Sequence, residues 1–250
     1  SLNRNGGYRN VTSTIASASS RKDLLDRTSP LPAYQQISND IILRISQKEW
    51  NIEDKLPTEA ELVETLGVGR NTVREALRIL MSRNIVTIRQ GSGTFISDKN
   101  GVADDPLGFF MMDDRRQLTE DLLQARLILE PALAALAAQN GSEEEIKELE
   151  YILKELEGLI RDKKDYSEKD SQFHAQIATC SHNRVMTNLI PVITEGVRVF
   201  ADSVEETEYE QTLLSHRRIF EAIRDGRGED ARQEMYFHLM YNHNRYRIGS

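Results

Sequence analysis

The chain has 250 residues, 39% hydrophobic and 29% charged, with a formal net charge of −8. That length accommodates two domains with separate cores. The single cysteine, Cys180, excludes an internal disulfide and suits a reducing compartment. No apolar run is long enough to span a bilayer and no charged-then-apolar leader opens the chain, so the expectation is a cytoplasmic protein without a membrane partner. The charge is uneven. Residues 1–30 carry five basic and two acidic groups, residues 31–97 eight of each, and residues 98–250 nineteen basic against thirty acidic. Within residues 67–97, five arginines meet only Glu75. Salt screens charge beyond about 10 Å, so this local basic face can meet phosphate while the acidic remainder repels non-specific DNA.

In chain order, residues 1–30 are rich in Ser, Asn, Arg and Gly without an apolar period and read as a disordered tail. Residues 31–97 read as one small domain. A helix is expected from Tyr34 to about Lys48, with Ile37, Ile41 and Ile45 as its seam and Trp50 anchoring its exit. Thr58 and Glu61 form a capping box with Pro57 just outside, so a second helix starts there. Leu62, Val63 and Leu66 give it an apolar face, and Gly67 ends it. A third helix is expected from about Arg70 to Arg83. Val73, Ala76, Leu77, Leu80 and Met81 share one of its faces, Arg70, Arg74 and Arg78 recur at intervals of four, and Asn71 and Thr72 lie at its exposed start. The period then changes to two: Val86–Arg89, a Gln90-Gly91-Ser92-Gly93 turn, and Thr94–Ile96 form a β-hairpin.

A short helix, a turn and a helix opening with Arg and Asn satisfy what major-groove reading requires, because Arg forks onto guanine and Asn pairs with adenine edges. A solvated charged face explains an Arg stripe equally well, but the glycine-tipped hairpin directly after it completes a winged helix-turn-helix. Residues Leu56 to Ile96 resemble the N-terminal domain of the GntR family of bacterial transcription regulators, carrying LPTEAELVETLGVGRNTVREALRIL and a GSGTFI wing. The resemblance implies double-stranded operator DNA as partner, read by Arg70, Asn71, Thr72 and Arg74 with Gln90 and Gly91 at the wing. Two positions depart from the family pattern. Gly69 stands where Ser usually caps the reading helix, and Ala60 where many members carry a DNA-contacting Arg.

Residues 98–114, with Gly, Pro and an acidic cluster, read as a linker whose Leu107, Phe109 and Phe110 are apolar enough to dock on the next domain. From 115 to 247 the pattern is all helical. Segments are expected at about Leu118–Gln139 (bent at Pro131), from a second capping box at Ser142 and Glu145 through Ile160, and at Tyr166–Cys180, Arg184–Ala201, Glu206–Arg224 and Glu229–Tyr246. The fold class is therefore mainly α: a winged helix-turn-helix followed by an all-α bundle.

In that bundle Asp170 and His174 are four apart on one helix, on the face that also carries Phe173 and Ile177. His216 falls in line with Leu213, Phe220 and Ile223, and His238 with Ala231 and Met235. A single inward histidine is ordinarily a hydrogen-bonded core residue. Three, with a carboxylate whose uncompensated burial costs several kcal/mol, suit a divalent transition metal such as Zn, Ni, Mn or Fe. This half of the chain resembles the FCD ligand-binding domain of the FadR subgroup of the same family, through RLILE, DSQFHAQIATCSHN, SHRRIFEAIRDG and ARQEMYFHLM. The resemblance implies Asp170, His174, His216 and His238 as metal ligands. It also suggests Arg126 as the anchor of a small organic-acid effector, although a salt bridge to Glu130 four residues on accounts for Arg126 as well. The expected function is a homodimeric repressor, not an enzyme, with operator binding tuned by a carboxylate at the metal site. A purely structural metal and a metal-dependent hydrolase are the alternatives.

Overall fold

A computed structural model of the protein describes residues 25–26, 28–99, 101–200 and 209–249. Most of the tail expected at 1–30 lies outside the described residues. At its end, Leu25 packs on the first core and the Asp26 amide donates to Gln36 Oε1 at 2.9 Å. The chain divides into two compact units between Asp104 and Asp105.

The first unit comprises α1 (Ala33–Ser46), α2 (Glu59–Leu66), α3 (Arg70–Ser82) and an antiparallel hairpin of β1 (Val86–Arg89) and β2 (Gly93–Ile96). The Thr58 amide donates to Glu61 Oε2 at 2.7 Å, and the Glu61 amide donates to Thr58 Oγ1 at 3.3 Å. This reciprocal box starts α2, and Gly67, at φ 65°, ends it. Gly69 supplies no side-chain cap to α3. That helix is held by burial instead: Val73, Ala76, Leu77 and Leu80 are all at most 4% exposed, and full burial of a Val or Leu side chain contributes about 1.5–3 kcal/mol. Met81 departs from expectation, being 39% exposed. Its rotation of about 100° past Leu80 carries it off the edge of the buried stripe.

The hairpin pairs Val86 with Ile96 through Arg89 with Gly93. Gly91 and Gly93 adopt φ of 75° and 120°. The segment before α2 adds a short third edge that the sequence did not reveal: the Leu56 amide donates to the Thr94 carbonyl at 2.8 Å, and Lys55 bridges Phe95. Gly91→Val should alter the wing tip alone. A left-handed backbone costs an L-residue about 1–2 kcal/mol, whereas a Cβ at Gly91 meets no atom within 4 Å. The helical circular dichroism should therefore persist while operator affinity falls in an anisotropy titration. Parent-like affinity would remove the wing tip from the DNA surface.

The second unit opens with a 3-10 turn (Phe109–Met111), followed by α4 (Arg115–Asn140), α5 (Glu143–Arg161), α6 (Ser167–Cys180), α7 (Arg184–Phe200), α8 (Tyr209–Arg224) and α9 (Gly228–Gly249). The Asp114 side chain accepts from the Gln117 amide and caps α4, which then runs through Pro131. The Ser142–Glu145 box starts α5. Leu149, Leu153, Leu156 and Ile160 from α5 meet Phe173 and Ile177 of α6, Ile219 and Ile223 of α8, and Met235 and Leu239 of α9 in the main core. Buried Glu157 accepts from Arg161 Nη2 at 3.1 Å and Arg217 Nη2 at 2.6 Å, pinning α8 against α5. Cys180 is buried beside Glu145, and burial first, then that carboxylate, pushes its thiol up to about 12.

Of the three apolar residues expected to dock, only Phe109 is inserted, against Leu118, Leu122, Ile193 and Phe200. Leu107 and Phe110 are 49% and 65% exposed, Phe110 meeting Phe200 edge-on at 5.3 Å. Successive side chains of a 3-10 turn diverge by about a third of a revolution, so one enters the core at a time. No helix among the described residues is long and apolar enough to cross a membrane.

Candidate metal centre and nucleic-acid interface

Helices α6, α8 and α9 bring Asp170, His174, His216 and His238 together, with one ligand atom from each lying within 4.8 Å of all the others. The three histidines are at most 3% exposed, and their ring centroids are 4.5 to 5.9 Å apart. Asp170 keeps an exposed edge, its side chain being 22% accessible. His182 stands apart, pairing with Glu145 at 2.8 Å.

The hydrogen-bond partners assign the proton on each ring. His216 Nδ1 faces the Thr212 carbonyl at 2.8 Å, and a carbonyl can only accept. His174 Nδ1 faces Glu130 Oε2 at 2.5 Å. Burial pushes Glu130 up, but Arg126 and His174 outweigh it and bring the carboxyl down to about 2, so Glu130 is ionised and accepts. The Ser215 hydroxyl donates to the Thr212 carbonyl at 2.9 Å, which leaves Oγ to accept from His238 Nδ1 at 2.9 Å. All three imidazoles thus carry their proton on Nδ1 and present a bare Nε2 lone pair, the form that binds a metal.

Those lone pairs test whether a metal suits the site. His174 Nε2 is buried and has no hydrogen-bond partner. His216 Nε2 and Asp170 Oδ1 face each other at 2.8 Å, two acceptors that need a proton or a cation between them. Burial, and then the two neighbouring imidazoles, push His238 well below an ordinary histidine, keeping it neutral. Burial raises Asp170, but its contacts with His216, His174 and Arg126 outweigh that and hold its carboxyl far below the usual carboxylate range. Three neutral nitrogens and one carboxylate oxygen converging on one point fit a divalent transition metal.

Arg126 lies on the same side of α4 as Glu130. Its Nε donates to Glu130 Oε1 at 2.6 Å, while Nη2 is buried without a partner. The salt bridge anticipated for this residue therefore forms and still leaves one donor unused. The Arg126–Glu130–His174 chain was not visible in the sequence, where only the spacing of Arg126 and Glu130 hinted at a pair.

In the first unit Arg70, Asn71, Arg74, Gln90 and Gly91 are exposed and Thr72 half-buried, on the first turns of α3 and the hairpin tip. Arg74 Nε pairs with Glu59 at 2.9 Å and Arg78 Nη1 with Glu75 at 3.3 Å. Arg89 pairs with Glu53 and stacks over Phe95 at 4.6 Å. Arg70 makes no ion pair among the described residues.

A helix-turn-helix with a wing, joined to a helical unit holding a convergent His/Asp set, defines a DNA-binding regulator with a separate sensing domain. Residues 33–96 match the family described as bacterial regulatory proteins, gntR family, and residues 121–240 match the FCD domain. The galactonate operon transcriptional repressor of Escherichia coli K12 is 29% identical over 185 residues, covering 71% of this chain and 81% of its own. The Uxu operon regulator of Haemophilus influenzae is 30% identical over 218 residues, with coverages of 82% and 79%. The structure of Streptococcus agalactiae GntR superposes with a TM-score of 0.72 at 36% identity, covering 84% of this chain and 99% of that one. The chain belongs to the GntR family of transcription regulators, in the group that carries an FCD domain. The chain is a DNA-binding transcription regulator, and its family and these relatives are regulators rather than enzymes.

Proposed function

We propose that the chain is a repressor whose hold on operator DNA is set by a small carboxylate bound beside a divalent metal. Asp170, His174, His216 and His238 hold the metal (Zn, Ni or Mn), Arg126 holds the carboxylate, and Arg70, Asn71, Thr72, Arg74, Gln90 and Gly91 meet the DNA. The observation that carries the reading is the balance of buried charge. Asp170 and Glu130 set two negative charges against the one guanidinium of Arg126 among the described residues that pair with them; a dication turns that deficit into a net positive charge. An anion is then favoured, and the unpartnered Arg126 Nη2 supplies a charge-assisted hydrogen bond for it. Galactonate, for which one relative's operon is named, is such a carboxylate.

Two reading heads spaced along a two-fold operator require a homodimer, acting in the cytoplasm where the DNA is. The units divided near Asp104 act as reader and sensor. The carboxylate changes DNA affinity only as far as it binds the DNA-free and DNA-bound states unequally. The test is fluorescence anisotropy on an operator selected from random DNA, with the protein zinc-loaded or EDTA-stripped and galactonate then other hydroxy acids added. Release of DNA by an acid from the zinc form alone is expected. An acid acting equally on both forms would detach the effector from the metal, and zinc that binds without any acid effect would leave a structural metal.

A further inference from the structure

Glu130 on α4 and Ser215 on α8 belong to neither the ligand set nor the family's reading surface, yet both end on ligand imidazoles. Glu130 divides its carboxylate between Arg126 Nε (2.6 Å) and His174 Nδ1 (2.5 Å). Ser215 Oγ lies between the Thr212 carbonyl and His238 Nδ1, both at 2.9 Å. The same Thr212 carbonyl takes the Nδ1 proton of His216. One turn of α8 therefore fixes two rings, and α4 fixes the third. At the far end of His238, Asn242 Nδ2 donates to Nε2 at 3.3 Å, in keeping with a lone pair there.

We infer that Glu130 and Ser215 are positioning residues that lock His174 and His238 in the Nδ1–H tautomer, as the Thr212 carbonyl locks His216, and so hold three Nε2 lone pairs ready for one metal ion. An unlocked imidazole exposes Nε2 as a lone pair only part of the time and can turn about its χ2 torsion; each locked ring avoids that loss. Loss of an outer-shell partner of this kind typically costs 10- to 100-fold in metal affinity. Glu130 has a second duty. It also orients the guanidinium whose Nη2 is left over, so the same carboxylate sets both the metal ligand and the anion anchor.

This inference rests on the metal reading proposed above. The probe is Zn²⁺ alone, measured on the full chain by competition with a fluorescent chelator. Ser215→Ala removes one acceptor from a small side chain and should weaken zinc by roughly tenfold or more, while Ser215→Thr, which keeps the hydroxyl, should restore it. Glu130→Gln should weaken zinc further, toward 100-fold. Imidazole nitrogen NMR of the metal-free protein supplies a readout that a merely structural role does not move: His238 should sit as Nδ1–H in the parent and lose that preference in Ser215→Ala. Parent-like zinc affinity in both Ser215→Ala and Glu130→Gln would overturn the inference and leave the metal reading intact. So would a weakened Ser215→Ala that Ser215→Thr does not rescue. A parent that binds zinc no better than its Asp170→Asn variant would bring down both.

Discussion

Asp170→Asn is expected to abolish the response to metal while leaving the fold intact. In the parent, zinc at a hundredfold excess over its Kd should stabilise the native state by about 2.7 kcal/mol. At about 2–4 °C per kcal/mol for a domain of this size, that is a rise in Tm of roughly 5–11 °C. The variant should show no rise, and its zinc affinity should fall more than the roughly 100-fold that loss of an outer-shell partner can cost. The reason lies in the 2.8 Å contact between Asp170 Oδ1 and His216 Nε2. As a carboxylate, residue 170 leaves two acceptors opposed and supplies the only anionic ligand of the set. As an amide it can turn an N–H toward Nε2 and satisfy the pair with no cation. The metal-free variant should therefore melt at or above the metal-free parent. Calorimetric scans with zinc and with EDTA decide it, and a variant that keeps the zinc-induced rise would remove Asp170 from the ligand set.

Replacing Arg70 or Arg74 by Ala should give the largest loss on the DNA side. A side chain that reads a base contributes about 1–3 kcal/mol. In the proposed homodimer each substitution is present in both heads, so the loss on a two-fold operator should be about 2–6 kcal/mol if the half-sites are independent. The existing Arg74–Glu59 pair does not stand in the way. Its partners are 50% and 40% exposed, and such pairs contribute about 0–1 kcal/mol, so DNA can take the guanidinium over. For the same reason Tm should shift little. Anisotropy on the selected operator and on a scrambled duplex, at two salt concentrations, separates the roles. A base-reading residue loses affinity mainly on the operator; a phosphate contact loses it on both and reduces the salt dependence. Unchanged binding by both variants would move the reading surface elsewhere.

Local signals carried much of the fold. The Thr58–Glu61 and Ser142–Glu145 boxes and the left-handed Gly67 stand in the structure as their residue types require, because a cap is decided within four residues of chain. The glycine-tipped hairpin followed from a change of period. Where local rules misled, the surroundings were responsible. Met81 lies at the margin of its helix stripe and is 39% exposed, and Phe109 rather than Phe110 enters the core.

At the helical site, periodicity identified which histidines face inward, and the 46 residues separating Asp170 from His216 did not obscure that both lie on inward faces. Spacing and motifs thus pointed to a winged helix-turn-helix ahead of a helical bundle and to the candidate ligand types. Only the tertiary structure decided that four ligand atoms lie within 4.8 Å of one another, that Glu130 reaches His174 across 44 residues, and that Arg126 keeps a donor after its salt bridge forms. Helical period specifies the direction of a side chain around its own axis. How far along a neighbouring helix that side chain arrives depends on the packing of α4, α6, α8 and α9 against one another, and no local pattern encodes that height.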